Sequence, residues 1–343
     1  MERVVITKAS SAHPPYRMTQ TEAAARIGAV TGEPRRAVAI ARGTRIDERA
    51  FCIPPADVAR LGSISERNAI YREKAPRLAM EAAVLAASGD EASIACLVTS
   101  SCTGYMVPGW DASLVSELPL GCYTVRLPIT QAGCAGGVVA LARSADFLRS
   151  RPGTSALAVS AELCSLAFQA SADEGSITSN LIFGDGAGAA LLDSSPSATG
   201  LEIVDSLSLL APAPERVLGF ALTDRGFASL LSRDLVEVLP PATGEAVIRL
   251  LGRTGLREAD IGFWLLHPGG ARILSQLEKA LRLPDCADRW SWASMAAHGN
   301  TSSAAIFDVI RRYLEDEAAP RGWGVVAAFG PGISIELLLV RSC

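Results

Sequence analysis

Hydrophobic and polar positions along the chain fall into two alternating kinds of pattern. Short β-rich apolar runs at residues 94–99, 156–161, 187–192, 201–209, 263–266, 325–329 and 333–340 predict strands. Between them lie stretches with helical spacing, at residues 67–87, 134–149, 244–253, 271–281 and 301–317. In 134–149 the apolar Val138, Leu141, Ala145 and Leu148 share one face, while Arg143, Asp146 and Arg149 lie elsewhere. In 301–317 a similar face carries Ile306, Val309, Ile310, Tyr313 and Leu314. The opening Val4-Val5-Ile6 reads as an early strand, because no apolar leader segment and cleavage site follow it. Strands alternating with helices point to an α/β fold.

Two of these helices begin alike. Cys134 follows a glycine and precedes small residues, and Asn300 does the same in the second half. This positional echo, without a residue-by-residue repeat, suggests an internal duplication. The Ser-, Pro- and Gly-containing stretch 193–200 then divides the chain into halves, residues 1–198 and 199–343.

Composition narrows the function. The chain has 343 residues, 49% hydrophobic and 20% charged, enough for a large core or for two units sharing an interface. A net charge of -4 without a basic stripe argues against a nucleic-acid binder. The apolar runs are far shorter than the roughly 20 residues that span a bilayer, so a cytoplasmic location and no membrane span are expected. None of the eight cysteines forms a CxxC pair, so most are expected as small buried side chains and no metal site is expected. Histidine is scarce: His13, His267 and His298.

Three segments carry the chemistry. Gly133-Cys134-Ala135-Gly136-Gly137 offers a thiol, Leu266-His267-Pro268-Gly269-Gly270 an imidazole, and His298-Gly299-Asn300-Thr301-Ser302-Ser303 a carboxamide. Together these groups run acyl transfer: the thiol attacks, the imidazole activates it, and imidazole and amide hold an oxyanion. Each has a plainer reading alone, as a packed cysteine, a backbone-satisfied histidine and a helix N-cap. A helix start beside an imidazole predicts an acidic Cys134 thiol. His298 reads as structural or exposed in its loop. Arg35, Arg36, Arg42, Arg45 and Arg49 form a loose basic cluster before Phe51, either a solvated helix face or a phosphate contact.

These contexts resemble the chalcone/stilbene synthase family, the type III polyketide synthases, over roughly residues 4–340. Ala328-Phe329-Gly330-Pro331-Gly332, residues 101–109, Glu162-Leu163-Cys164-Ser165 and Phe183-Gly184-Asp185-Gly186 add to the likeness. The resemblance implies a thiolase-type five-layer αβαβα fold with internally duplicated halves, usually a homodimer. It implies Cys134, His267 and Asn300 as the catalytic set and Phe183 as a gate. Cys102, Ala167, Ser179, Ser302, Phe329, Gly330, Pro331 and Gly332 are implied around the cavity, with Arg36, Arg42 and Arg45 near the coenzyme phosphates. Acyl-CoA and malonyl-CoA are the implied substrates, with no cofactor. There are departures: Ala328 replaces the first glycine of the family's GFGPG, Ser179 a glycine and Ala167 a threonine of plant members, and Cys102 resembles the bacterial branch. The expectation is a synthase that extends a fatty acyl-CoA starter to an alkylpyrone or alkylresorcinol. The alternatives are a tetrahydroxynaphthalene-type synthase using malonyl-CoA alone, a ketoacyl-ACP synthase III, or a silent acyl-binding subunit of the same fold.

Overall fold

The computed structural model describes residues 2–212, 217–232 and 234–343. Its strands in chain order are β1 (Val5–Ala12), β2 (Tyr16–Thr19), β3 (Glu48–Phe51), β4 (Ile94–Ser101), β5 (Val125–Thr130), β6 (Ser155–Leu163) and β7 (Asp185–Asp193). They continue with β8 (Leu201–Leu210), β9 (Leu218–Thr223), β10 (Gly226–Leu231), β11 (Ile261–Leu266), β12 (Trp323–Gly330) and β13 (Ser334–Ser342). Nine of them make one mixed sheet in the order β11-β12-β13-β8-β1-β7-β6-β4-β5, and β2–β3 and β9–β10 form separate antiparallel pairs.

The pairings run twice. β4 is parallel to β6, β6 antiparallel to β7, and β7 antiparallel to β1. Likewise β11 is parallel to β12, β12 antiparallel to β13, and β13 antiparallel to β8. The two sets meet where Val5 and Ile6 of β1 pair with Glu202 and Leu201 of β8, beside a bond from the Ile203 N–H to the Val4 carbonyl.

Alternation along the strands builds five layers. On β6, Ala156 and Ala158 face a central core, while Leu157 and Val159 face an outer one against helix Ile64–Ala87. On β12, Val326 and Ala328 face the central core, while Val325, Ala327 and Phe329 face helices Leu235–Gly252 and Ala271–Ala280. Helices Gly136–Arg149 and Ala305–Glu315 fill the central layer between the two sets of strands. They cross closely: a Cβ at Gly137 would lie 2.3 Å from the Ser303 carbonyl oxygen and 2.6 Å from Ile306 Cγ2. This crossing brings the two helix starts together.

The strand expectations hold, with β1 running on to Ala12. The expected helices differ in their bounds: that at 67–87 begins at Ile64, that at 271–281 ends at Ala280, and the other three differ more in kind. Single 3₁₀ turns, Gly133–Ala135 and Ser302–Ala304, precede the two central helices. The expected 244–253 helix begins at Leu235 and runs through Pro240 and Pro241, held by the packing of Leu235, Leu239 and Val247. Among the described residues, no helix is long and apolar enough to cross a membrane.

Candidate active site

Cys134, His267 and Asn300 line one cavity of about 370 Å³. Cys134 sits in the 3₁₀ turn before its helix, after Gly133 in the left-handed region (φ 54°). A Cβ at Gly133 would lie 2.4 Å from Pro331 Cδ, so the Phe329–Gly332 stretch packs directly over the cysteine loop. His267 extends β11, its backbone N–H donating to the Ala327 carbonyl at 2.8 Å. Asn300 also follows a glycine with positive φ, Gly299 at 66°. Its backbone is pinned in both directions: its N–H donates to the Ile182 carbonyl (2.8 Å), and its carbonyl accepts from the Gly184 N–H (3.0 Å).

The amide of Asn300 is oriented. The Ser302 N–H donates to Oδ1 at 2.8 Å, which turns Nδ2 toward the Gly269 carbonyl (3.3 Å) and Cys134 Sγ (3.9 Å). Ser302 holds φ 52°, a strained conformation for a side-chain-bearing residue. The His267 ring is 1% exposed, and neither ring nitrogen has a hydrogen-bond partner among the described residues.

The electrostatics differ from the sequence expectation of an acidic thiol. Burial pushes Cys134 up to about 11 and the nearby Glu162 carboxyl adds to the rise, against the lowering contacts of Ser302 and Asn300. Burial alone pushes His267 down to about 3. Both groups therefore rest neutral.

Glu162 is a site residue to which the sequence reading gave no role. It is fully buried at the end of β6 and ties both halves together. Its carboxyl accepts from the Cys102 N–H (3.1 Å), Thr103 Oγ1 (2.8 Å), Ser302 Oγ (3.4 Å) and Ser303 Oγ (2.5 Å). Burial nevertheless raises its pKa. The signal available in the sequence was one acidic residue ending an otherwise small and apolar strand.

The other expected site residues divide. Ser179, Phe183, Phe329, Gly330 and Pro331 line the cavity. Cys102 and Ser302 lie behind Cys134, their Sγ and Oγ 3.6 Å apart. Ala167 borders an adjoining void of about 30 Å³ that shares Ser179, Phe183, Phe220 and Ser229 with the main cavity. Gly332 lies beyond the described lining, and the Ala328 methyl points into the central core. Arg36, Arg42 and Arg45 are exposed and also outside that lining. Arg36 donates to the Ala172 carbonyl and Arg45 stacks on Trp292, while the helix Pro34–Gly43 turns Ala39, Ile40 and Gly43 to the cavity. The arginine on the described wall is Arg272. Arg49 is buried, unlike a solvated face. His298 is half-buried: its ring stacks on His13 with centroids 3.7 Å apart, and desolvation lowers it to about 3.

The comparisons agree with this geometry. Residues 53–196 match the family model for chalcone and stilbene synthases, N-terminal domain, and residues 202–343 match the C-terminal domain. A 1,3,6,8-tetrahydroxynaphthalene synthase of Streptomyces peucetius subsp. caesius is 33% identical over 96% of this chain and 91% of its own length. An alpha-pyrone synthesis polyketide synthase-like protein of Mycobacterium tuberculosis is 28% identical over 94% of this chain and 87% of its own. The crystal structure of 1,3,6,8-tetrahydroxynaphthalene synthase from Streptomyces coelicolor A3(2) superimposes with a TM-score of 0.90 at 30% identity, covering 98% of this chain and 99% of that one. Fold, paired helix starts and sequence kinship together place the chain in the chalcone and stilbene synthase family: it is a type III polyketide synthase, an acyltransferase that works on CoA thioesters.

Proposed function

We propose that malonyl-CoA serves this enzyme as both starter and extender, and that the chain grows on Cys134. Sγ attacks the thioester carbonyl as the neutral His267 ring accepts its proton, and the two new charges stabilise each other. Coenzyme A leaves with that proton. A second malonyl-CoA then loses CO2. The enolate oxygen is held by a ring N–H of His267 and by Asn300 Nδ2, and the enolate carbon attacks the acyl group on Cys134, expelling the Cys134 thiolate and leaving the lengthened chain on coenzyme A; the thiolate then takes that acyl group back and releases coenzyme A. Repetition builds a poly-β-keto chain that cyclises in the cavity. No metal or organic cofactor enters this chemistry.

The observation that carries the catalytic reading is the amide held beside the thiol: Oδ1 of Asn300 accepts from the Ser302 N–H, and Nδ2 and Oδ1 stand 3.9 and 4.0 Å from Cys134 Sγ. A short starter is supported by the small room behind Ser179 and Phe183. Beyond Ser179 and Phe183 the structure leaves about 30 Å³, with the Arg49 side chain among its walls. A fatty tail gains roughly 0.8 kcal/mol per CH2 only where apolar room exists, and this end offers little. The name of the Streptomyces relatives, 1,3,6,8-tetrahydroxynaphthalene synthase, points the same way. Arg272 at the cavity wall is the cation suited to the coenzyme phosphates. The exposed edge strand β5 suits pairing with a second copy, as in a cytoplasmic homodimer.

Mass spectrometry of products from malonyl-CoA alone, and with C6 to C12 acyl-CoA added, tests the starter. The expected result is an aromatic product from malonyl-CoA alone, unchanged by the acyl-CoAs. Alkylpyrones or alkylresorcinols formed only with the acyl-CoAs would overturn it.

A further inference from the structure

Arg49 has an environment that simple stability does not favour. Its side chain comes from β3, is 1% exposed, and has Nε and Nη2 without partners among the described residues. Burying a cation with unmet donors costs free energy, and here burial pushes the guanidinium down to about 10. The one nitrogen that is bonded, Nη1, makes two short contacts, to the Phe183 carbonyl (2.6 Å) and the Asn180 carbonyl (2.8 Å). Both carbonyls belong to the end of helix Glu174–Ile182, where cations are favoured.

The stem of the same side chain lies between two glycines. A Cβ at Gly184 would meet Arg49 Cβ at 3.3 Å, and one at Gly299 would meet Arg49 Cδ at 2.8 Å. Gly184 follows Phe183, and Gly299 precedes Asn300. Phe183 and Asn300 themselves form an isolated parallel bridge. One arginine therefore grips the segment carrying the cavity-lining Phe183 and the loop carrying the amide of Asn300.

We infer that Arg49 is a positioning residue, setting the Phe183 segment and the Asn300 loop in register so that Nδ2 meets the developing enolate. It rests on the decarboxylative reading above. The test is malonyl-CoA decarboxylation by Arg49→Met, which keeps the stem and removes the donors, and by Arg49→Lys, which keeps a cation. Rates are expressed per competent site, counted by stoichiometric alkylation of Cys134. Misplacing one donor is expected to lower kcat per site roughly tenfold in Arg49→Met, with KM within about twofold, and Arg49→Lys is expected to fall between it and the wild type. A merely structural role would lower the number of competent sites and leave kcat per site unchanged, and that result overturns the inference. If Arg49→Met yields no folded protein, Arg49→Lys decides: a reduced kcat per site supports the role, and a wild-type value overturns it. Absence of decarboxylation in the wild type is instead the failure of the decarboxylative reading.

Discussion

Cys134 and Asn300 begin the two central helices, each after a glycine in the left-handed region, yet the halves equip them differently. In the first half the side chain at this point is a thiol left partly exposed on the cavity wall. In the second it is an amide, 2% exposed, whose oxygen is fixed by the Ser302 N–H. The first position is free to form a bond, and the second is held rigid to receive charge. In the proposed mechanism the same backbone device serves covalent chemistry on one side and electrostatic preorganisation on the other. The outer edges differ too. β5 ends its side of the sheet as an exposed strand with Leu127 at its surface. Beside β11 the contacts come from outside any strand: the Trp264 N–H donates to the Ala287 carbonyl and the Leu266 N–H to Ser291 Oγ.

The largest effect separating the two positions is expected from Cys134→Ala, which should lose product formation by about 10⁴-fold or more. Intact-protein mass spectrometry should find no acyl adduct on this variant, and a persisting adduct would move the nucleophile elsewhere. Next, His267→Ala should lower malonyl-CoA decarboxylation by roughly 10²- to 10³-fold, the scale of one oxyanion donor. An unchanged CO2 release rate would place the enolate out of its reach.

The pH response follows from the shifts. Because burial raises the Cys134 thiol to about 11, the thiolate fraction is small near neutrality and grows as pH rises. Iodoacetamide alkylation should therefore show a midpoint above the free-thiol value of about 8.5. A midpoint below it would reveal a preformed thiolate–imidazolium pair. At the sheet edge, Leu127→Glu should shift the enzyme toward monomer in light scattering, since a charge blunts an exposed strand; an unchanged mass would place any interface elsewhere. Smallest is Gly137→Ala, whose methyl meets the Ser303 carbonyl oxygen at the helix crossing. It should cost about 1–3 kcal/mol in denaturant unfolding, and full stability would mean that the crossing relaxes freely.

The sequence revealed what burial makes regular. Strands β4, β6, β7, β11, β12 and β13 are almost wholly buried, so their apolar runs were readable. β5 was missed because it is an exposed edge that carries Arg126 and Pro128. The antiparallel pairs β2–β3 and β9–β10 were missed because their strands are short and give no clear alternation. Cys134, His267 and Asn300 were legible through their small-residue contexts. Glu162 and Arg49 were not, because each acts through contacts that only the fold assembles: Glu162 with Ser303 across the two halves, Arg49 with Phe183 across 134 positions. The shift of the thiol runs opposite to the expectation for a similar reason, since the sequence showed the helix start but not the packing that desolvates the sulfur.

The division of labour between the two helix starts is tested most directly by crossing two variants with two readouts: acyl loading by intact mass and CO2 release from malonyl-CoA. Cys134→Ala should lose loading and keep decarboxylation, whereas Asn300→Ala should keep loading and lose decarboxylation by about 100-fold. Loss of both activities in both variants, with the proteins folded, would contradict separate roles for the two positions.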